Sequence, residues 1–229
     1  MGIIKAKGLE AKNLAEQDDN AEILRLKDGD SVKVRILAPD DYVAYTSAGD
    51  FENGIYAQPV DDESPLLKAY EEGGKTFSNL KPKTRYLFAF ADLATGKIVG
   101  FDGSRNQAKT LISTIEEYSD SLDDIPFNLK REGKSTDTTY SLRPIIKLKG
   151  DDKEKFEELE GETVEMDFYE QALQPSTDEF LVKLLTDVDP DIKDELFPDV
   201  DISEFEDGDG DDAKEIDDED GADEAIDVI

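Results

Sequence analysis

The sequence predicts a mainly β domain with a few helices, and three observations carry that prediction. Residues 81–107, KPKTRYLFAFADLATGKIVGFDGSRNQ, hold two β-prone runs joined at Ala94-Thr95-Gly96. Tyr86, Phe88 and Phe90 fall on one side of a period-2 strand, and Gly96 supplies the turn. In residues 31–38, Val32, Val34 and Ile36 alternate with Lys33 and Arg35, the pattern of a half-buried strand with its basic side outward. Residues 125–131 and 138–148 repeat the hairpin pattern around a polar, glycine-containing loop at 132–137.

Taken in order, residues 1–22 have few apolar side chains and no clear period, so they read as an N-terminal arm with some helical character at 9–16. Residues 23–26 lead into a turn at Lys27-Asp28-Gly29-Asp30 and then the strand at 31–38. Pro39-Asp40-Asp41 breaks that strand, and residues 42–47 form a second, carrying Tyr42 and Tyr45. A loop at 48–53, a strand at 54–58 and an acidic loop at 59–65 precede a short helix at 66–72, which Gly73 and Gly74 end. After the central hairpin, Ser104 is placed to cap a helix reaching Tyr118, with Ala108, Leu111, Ile112 and Ile115 at helical spacing. Residues 151–159 read as a charged helix, 163–169 as a strand and 178–185 as a last helix. The domain is expected to span 23–198. Beyond it, residues 199–229 are Asp, Glu, Gly and Ala with isolated apolar residues, too few to offset the entropy of ordering, and read as a disordered tail.

The net charge of −32 is unevenly placed. Residues 199–229 hold 16 acids and one lysine, whereas residues 73–149 hold 13 Lys and Arg against 9 Asp and Glu. Local basicity in an acidic chain is therefore the signal. The absence of Cys and His excludes disulfides, thiol catalysis, His general bases and ordinary zinc sites, and fits a reducing cytoplasm. No run is long and apolar enough for a secretory signal or a membrane span, so no membrane partner is expected.

Three catalytic or ligand motifs fall short. Gly74-Lys75-Thr76 resembles the end of a phosphate loop, but Ala69 stands where the first glycine belongs. Asp207, Asp209 and Asp211 begin a calcium-loop spacing that Asp212 and Asp218 do not complete. No pair of carboxylates is marked out by apolar surroundings, so neither enzyme activity nor a cofactor or metal is expected.

Cations interleaved with aromatic rings remain, the combination that tracks a phosphate backbone while bases stack. The candidate cations are Lys33, Arg35, Lys83, Arg85, Lys97, Arg105, Lys130, Arg131, Lys134 and Arg143, all between the acidic ends of the chain. Tyr42, Tyr45 and Tyr140 are the candidate stacking rings because each has polar neighbours; Phe88 and Phe90 belong to the core, and Tyr86 is open to either role.

Four stretches resemble the bacteriophage single-stranded DNA-binding proteins: LRLKDGDSVKVRIL at 24–37, RYLFAFADLATGKIVGFDGSRNQAKTLI at 85–112, PFNLKREGKSTDTTYSLRP at 126–144, and the acidic C-terminus. That resemblance implies an OB-fold-like barrel in the host cytoplasm that protects single-stranded DNA during phage replication and recombination. It also implies that the acidic tail recruits phage or host replication proteins. In that arrangement the apolar tip Ile226, Asp227, Val228 and Ile229 anchors the partner. The best-known members carry zinc, for which this chain has no Cys or His ligands. A different class competes: an acidic chaperone or interaction protein whose tail binds basic partners and whose domain never touches nucleic acid.

Overall fold

The computed structural model describes residues 21–205; nearly all of the expected arm, the candidate anchor Ile226 to Ile229 and most of the acidic tail lie outside these residues. Eight strands form one sheet: β1 (Glu22–Ile23), β2 (Ser31–Arg35), β3 (Tyr42–Asp50), β4 (Ile55–Pro59), β5 (Lys83–Asp92), β6 (Ile98–Ser104), β7 (Phe127–Glu132) and β8 (Thr139–Pro144). Six α-helices lie among the described residues: α1 (Pro65–Glu72), α2 (Arg105–Glu117), α3 (Asp151–Glu158), α4 (Met166–Ala172), α5 (Asp178–Val188) and α6 (Ile192–Leu196). The architecture is mixed α/β.

The central hairpin, β5 with β6, is the middle of the sheet, paired antiparallel from Arg85↔Ser104 to Ala91↔Ile98. Its turn is fixed by the Asp92 carboxylate, which accepts hydrogen bonds from the Ala94 N–H and the Thr95 hydroxyl, and by Gly96 at φ 74°. The other edge of β5 is shared: β3 pairs with its first half and β2 with its end. The Pro39-Asp40-Asp41 break makes this sharing possible by redirecting the chain between the two strands. β2 also pairs with β7, and β7 with β8, giving the order β1-β6-β5-β2-β7-β8.

The barrel implied by the resemblance is not closed. The ladder ends at β8 on one side and at β1 on the other, so the sheet is open. Part of the β6 edge that a closing strand would need is taken by β1, in parallel pairs Glu22↔Val99 and Ile23↔Gly100. β8 nevertheless comes back over β6, since the Tyr140 and Phe101 rings lie 4.6 Å apart. Side-chain packing spans the seam that hydrogen bonds leave open.

One sheet face packs on α2. A capping box starts that helix: the Gln107 N–H donates to the Ser104 hydroxyl, and the Ser104 N–H donates to Gln107 Oε1. Ala108, Leu111 and Ile115 then bury against Val34, Phe88, Phe90, Phe101, Phe127 and Leu129. Each such buried large side chain contributes about 1.5–3 kcal/mol. The opposite face is covered by α3 and α4, through Phe156 and Leu159 on Ala91 and Leu93, and through Tyr169 on Leu87 and Ala89.

A second core joins distant segments. Leu66 and Ala69 of α1, with Phe77 and Leu80 of the 3-10 turn Gly74–Leu80, meet Leu181, Val182 and Leu185 of α5 and Ile192 of α6, together with Ile55 of β4. Two expectations change here. Residues 163–169 are not a strand: Phe168, Tyr169, Ala172 and Leu173 pack at helical spacing, and α4 forms instead. The domain also runs past 198, because Ile202 is buried in the second core and the Phe205 ring lies 6.1 Å from that of Phe180.

Candidate nucleic-acid interface

Period-2 geometry divides the candidate residues between the two faces of the sheet. Tyr42 pairs with Phe88, Phe88 with Phe101, and Arg131 with Tyr140, so these residues lie on the α2 face. Their rings form a row: Tyr42 to Phe88 at 5.2 Å, Phe88 to Phe101 at 6.3 Å, and Phe101 to Tyr140 at 4.6 Å. The interior of the row is fully buried, while Tyr42 and Tyr140 at its ends are half-buried. Tyr86, also half-buried, sits one register step further along, between Ala44 and Gly103. Beyond it Ala44, Thr46 and Thr84 are exposed, so the strip next to the tyrosines is uncovered.

Arg131 belongs to this group. Its guanidinium carbon lies 6.0 Å from the Tyr140 ring centre, while Nη1 donates to the Leu26 carbonyl at 2.7 Å and Nη2 to the Thr138 hydroxyl at 3.4 Å. These bonds hold the cation beside the ring. Arg105 is exposed in the first turn of α2, directly after the strand that carries Phe101 and Gly103. Lys134 is exposed in the β7–β8 loop, next to Gly133 at φ 93°, whose N–H donates to Asp28.

The covered face holds the other candidates, and most of them are engaged internally. Arg35 is 2 % exposed. Its guanidinium donates to the Phe156 carbonyl, lies 4.4 Å over the Phe156 ring and pairs with Asp123 at 3.4 Å. This corrects the expectation that the basic side of β2 faces outward: α3 lies on it, with Asp152 on Lys33 at 2.5 Å. Arg85 binds Asp102 through Nε at 3.0 Å and Nη2 at 2.8 Å, and the Tyr45 hydroxyl donates to the same carboxylate at 2.9 Å. Burial, then the Asp102 charge, pushes the Tyr45 phenol well above its ordinary value. Burial opposes the charge on Arg85, but Asp102 outweighs it and keeps the guanidinium protonated. A phenol and a guanidinium locked on one carboxylate form a structural triad.

Lys130 and Arg143 converge on Glu132, each at 2.7 Å. The hydrogen bond from Lys130, then the charges of both cations, holds the Glu132 carboxyl below the usual range. Lys83 lies exposed on the same side, in register with Ser47. Lys97 is exposed at the far end of the hairpin, by the β5–β6 turn. The structure thus brings together Tyr42, Tyr86, Arg131 and Tyr140, with Arg105 and Lys134 at the adjoining helix start and loop. It does not bring Lys33, Arg35, Tyr45, Lys83, Arg85, Lys97, Lys130 or Arg143 to that strip.

The covering helices were the missing information, and their signal was present as Phe156 with Leu159 and as Tyr169 with Leu173, at i,i+3 and i,i+4 spacing. No helix among the described residues is long and apolar enough to cross a membrane. The chain matches no known protein-family model, and no curated protein matches it.

Proposed function

We propose that the protein binds single-stranded DNA without sequence preference, on the uncovered strip of the α2 face, during phage DNA replication or recombination in the host cytoplasm. The observation that carries this reading is the convergence of three half-buried tyrosines, Tyr42, Tyr86 and Tyr140, on one face with Arg131 beside Tyr140. Half-buried rings offer an edge or face to a base while their inner atoms hold the fold, and stacking is indifferent to base identity. The chain order supports an OB-type reading: a broken first strand (β2 and β3), then β5, β6, α2, β7 and β8, with β2 paired to both β5 and β7. In this reading the barrel seam is left open between β6 and β8, and the acidic tail serves partner recruitment.

A titration of labelled oligo(dT) at several salt concentrations tests the proposal. With Arg105, Arg131 and Lys134 as phosphate contacts, log K falls against log salt with a slope of roughly −2, from about −0.7 per phosphate. A chain ending at residue 205 binds more tightly, because residues 206–229 carry a net charge of −12 that repels the strand, and the gain shrinks as salt rises. No binding at low salt discards the proposal and favours the acidic interaction protein.

A further inference from the structure

The β3–β4 hairpin presents an aromatic pair that the fold does not use. Phe51 is 53 % and Tyr56 47 % exposed, their ring centres 6.2 Å apart at an interplanar angle of 68°. Neither ring is what holds the hairpin in place. Ile55 between them is fully buried in the second core, and Gly54 takes the turn at φ 74°. The Asp50 carboxylate accepts hydrogen bonds from the side-chain amides of Asn53 at 2.7 Å and Asn79 at 3.4 Å. A hairpin tip braced by polar contacts leaves its two rings free to meet something else.

The surroundings specify what that is. Residues 73–83, GGKTFSNLKPK, contain three lysines and no acid. The Asn79 amide also donates to Glu52 at 3.3 Å, so this basic segment is fastened to the hairpin tip. Lys75 and Lys81 are exposed and make no ion pair among the described residues. Exposed rings on a hairpin tied through Asn79 to a lysine-bearing segment match bases and phosphates in charge and shape, whereas a basic protein partner would be repelled by those lysines.

We infer that Phe51 and Tyr56 form a second base-stacking platform, with Lys75 and Lys81 as its phosphate contacts; this rests on the single-stranded DNA reading above. β3 joins the two platforms. From Tyr42 to Phe51 the chain advances nine residues, roughly 30 Å at about 3.3 Å per residue. A short oligonucleotide engages one platform, and a long one spans both. Site sizes of about 4 to 16 nucleotides for OB-type domains bracket the two cases.

The test uses the full chain, with labelled oligo(dT) of 4 and of 16 nucleotides followed by fluorescence anisotropy. The F51A/Y56A double variant weakens binding of the 16-mer by about 5- to 150-fold per ring lost, the range that stacking energies imply, and leaves the 4-mer within about twofold. F51Y/Y56F, which keeps both rings, binds both lengths as the wild type does. Because both side chains are exposed, the thermal transition serves as a folding control and stays in place. Wild-type affinity of F51A/Y56A for the 16-mer overturns the inference, as does an equal loss at both lengths, which would put the rings in the first platform. If the wild-type chain binds neither length, the single-stranded DNA reading itself fails and takes this platform with it.

Discussion

The two faces of the sheet carry unequal shares of the candidate cations and use them differently. On the covered face, Lys33, Arg35, Arg85, Lys130 and Arg143 each have a carboxylate partner, and Arg35 adds a carbonyl and a ring. On the α2 face, Arg131 is held by a carbonyl and a hydroxyl beside a tyrosine. A cation already neutralised by a neighbouring acid gains little from a phosphate, because the old pair must be broken first. Arg131 stands instead against the Tyr140 ring, where a bound strand would meet a cation and a stacking surface together.

The strongest way to break this comparison is Arg35→Ala. If Arg35 is structural, its loss leaves the Phe156 carbonyl and the underside of α3 without a partner and destabilises the domain by about 3 kcal/mol, seen as a lower urea midpoint with unchanged slope. DNA affinity of the folded protein stays the same; a stable variant with weak DNA binding would move the interface to the covered face. Next in size is Tyr140→Ala, which costs about 1–3 kcal/mol of DNA binding. Tyr140→Phe keeps the ring and retains affinity, while Tyr45→Phe, on the other face, loses only its hydrogen bond to Asp102 and leaves binding unchanged. Matching losses from Tyr140→Ala and Tyr45→Phe would erase the distinction between faces.

The smallest effect is the sharpest probe. Glu132 titrates below the ordinary glutamate range because Lys130 and Arg143 favour its ionised form. Its lowered folded value means that its contribution to stability is present above the unfolded pKa and is lost as pH falls through the folded one. The group is solvent-exposed, so high salt should return its titration, followed by NMR, toward the ordinary value. Saturating oligo(dT) should leave it where it is. An upward move on adding DNA would mean that phosphates draw Lys130 and Arg143 away from Glu132.

What could be read in the sequence was local. The β5–β6 hairpin, its Gly96 turn and the Ser104 cap follow from residues within a few positions of one another, and the structure has all three. The alternation at Val32, Val34 and Ile36 correctly marks one buried side of β2, but it could not reveal that Lys33 and Arg35 are covered. That depends on Asp152 and Phe156, more than a hundred residues away. The same limit applies to the seam: whether β8 bonds to β6 depends on edges built by β1 and the start of α2. The alternation of Val164, Met166 and Phe168 suggests a strand over 163–169, while the packing that matters runs through Phe168, Tyr169 and Ala172 of α4. For the candidate interface, aromatic and basic residue types are legible in the sequence, and their division between faces is not.

The second core has a consequence for how the chain is made. Leu66, Phe77 and Leu80 are completely buried, but their partners Leu181, Val182 and Leu185 lie about a hundred residues further along. During synthesis, at about 5–20 residues per second, the first half of this core waits roughly 5–20 seconds before the ribosome delivers the second. The sheet and α2 can assemble in that interval, so the nascent protein passes through a stage with its β core formed and an apolar patch around α1 open to solvent. A ribosome stalled before α5 would leave that patch bare, and it is there that a chaperone would find this protein.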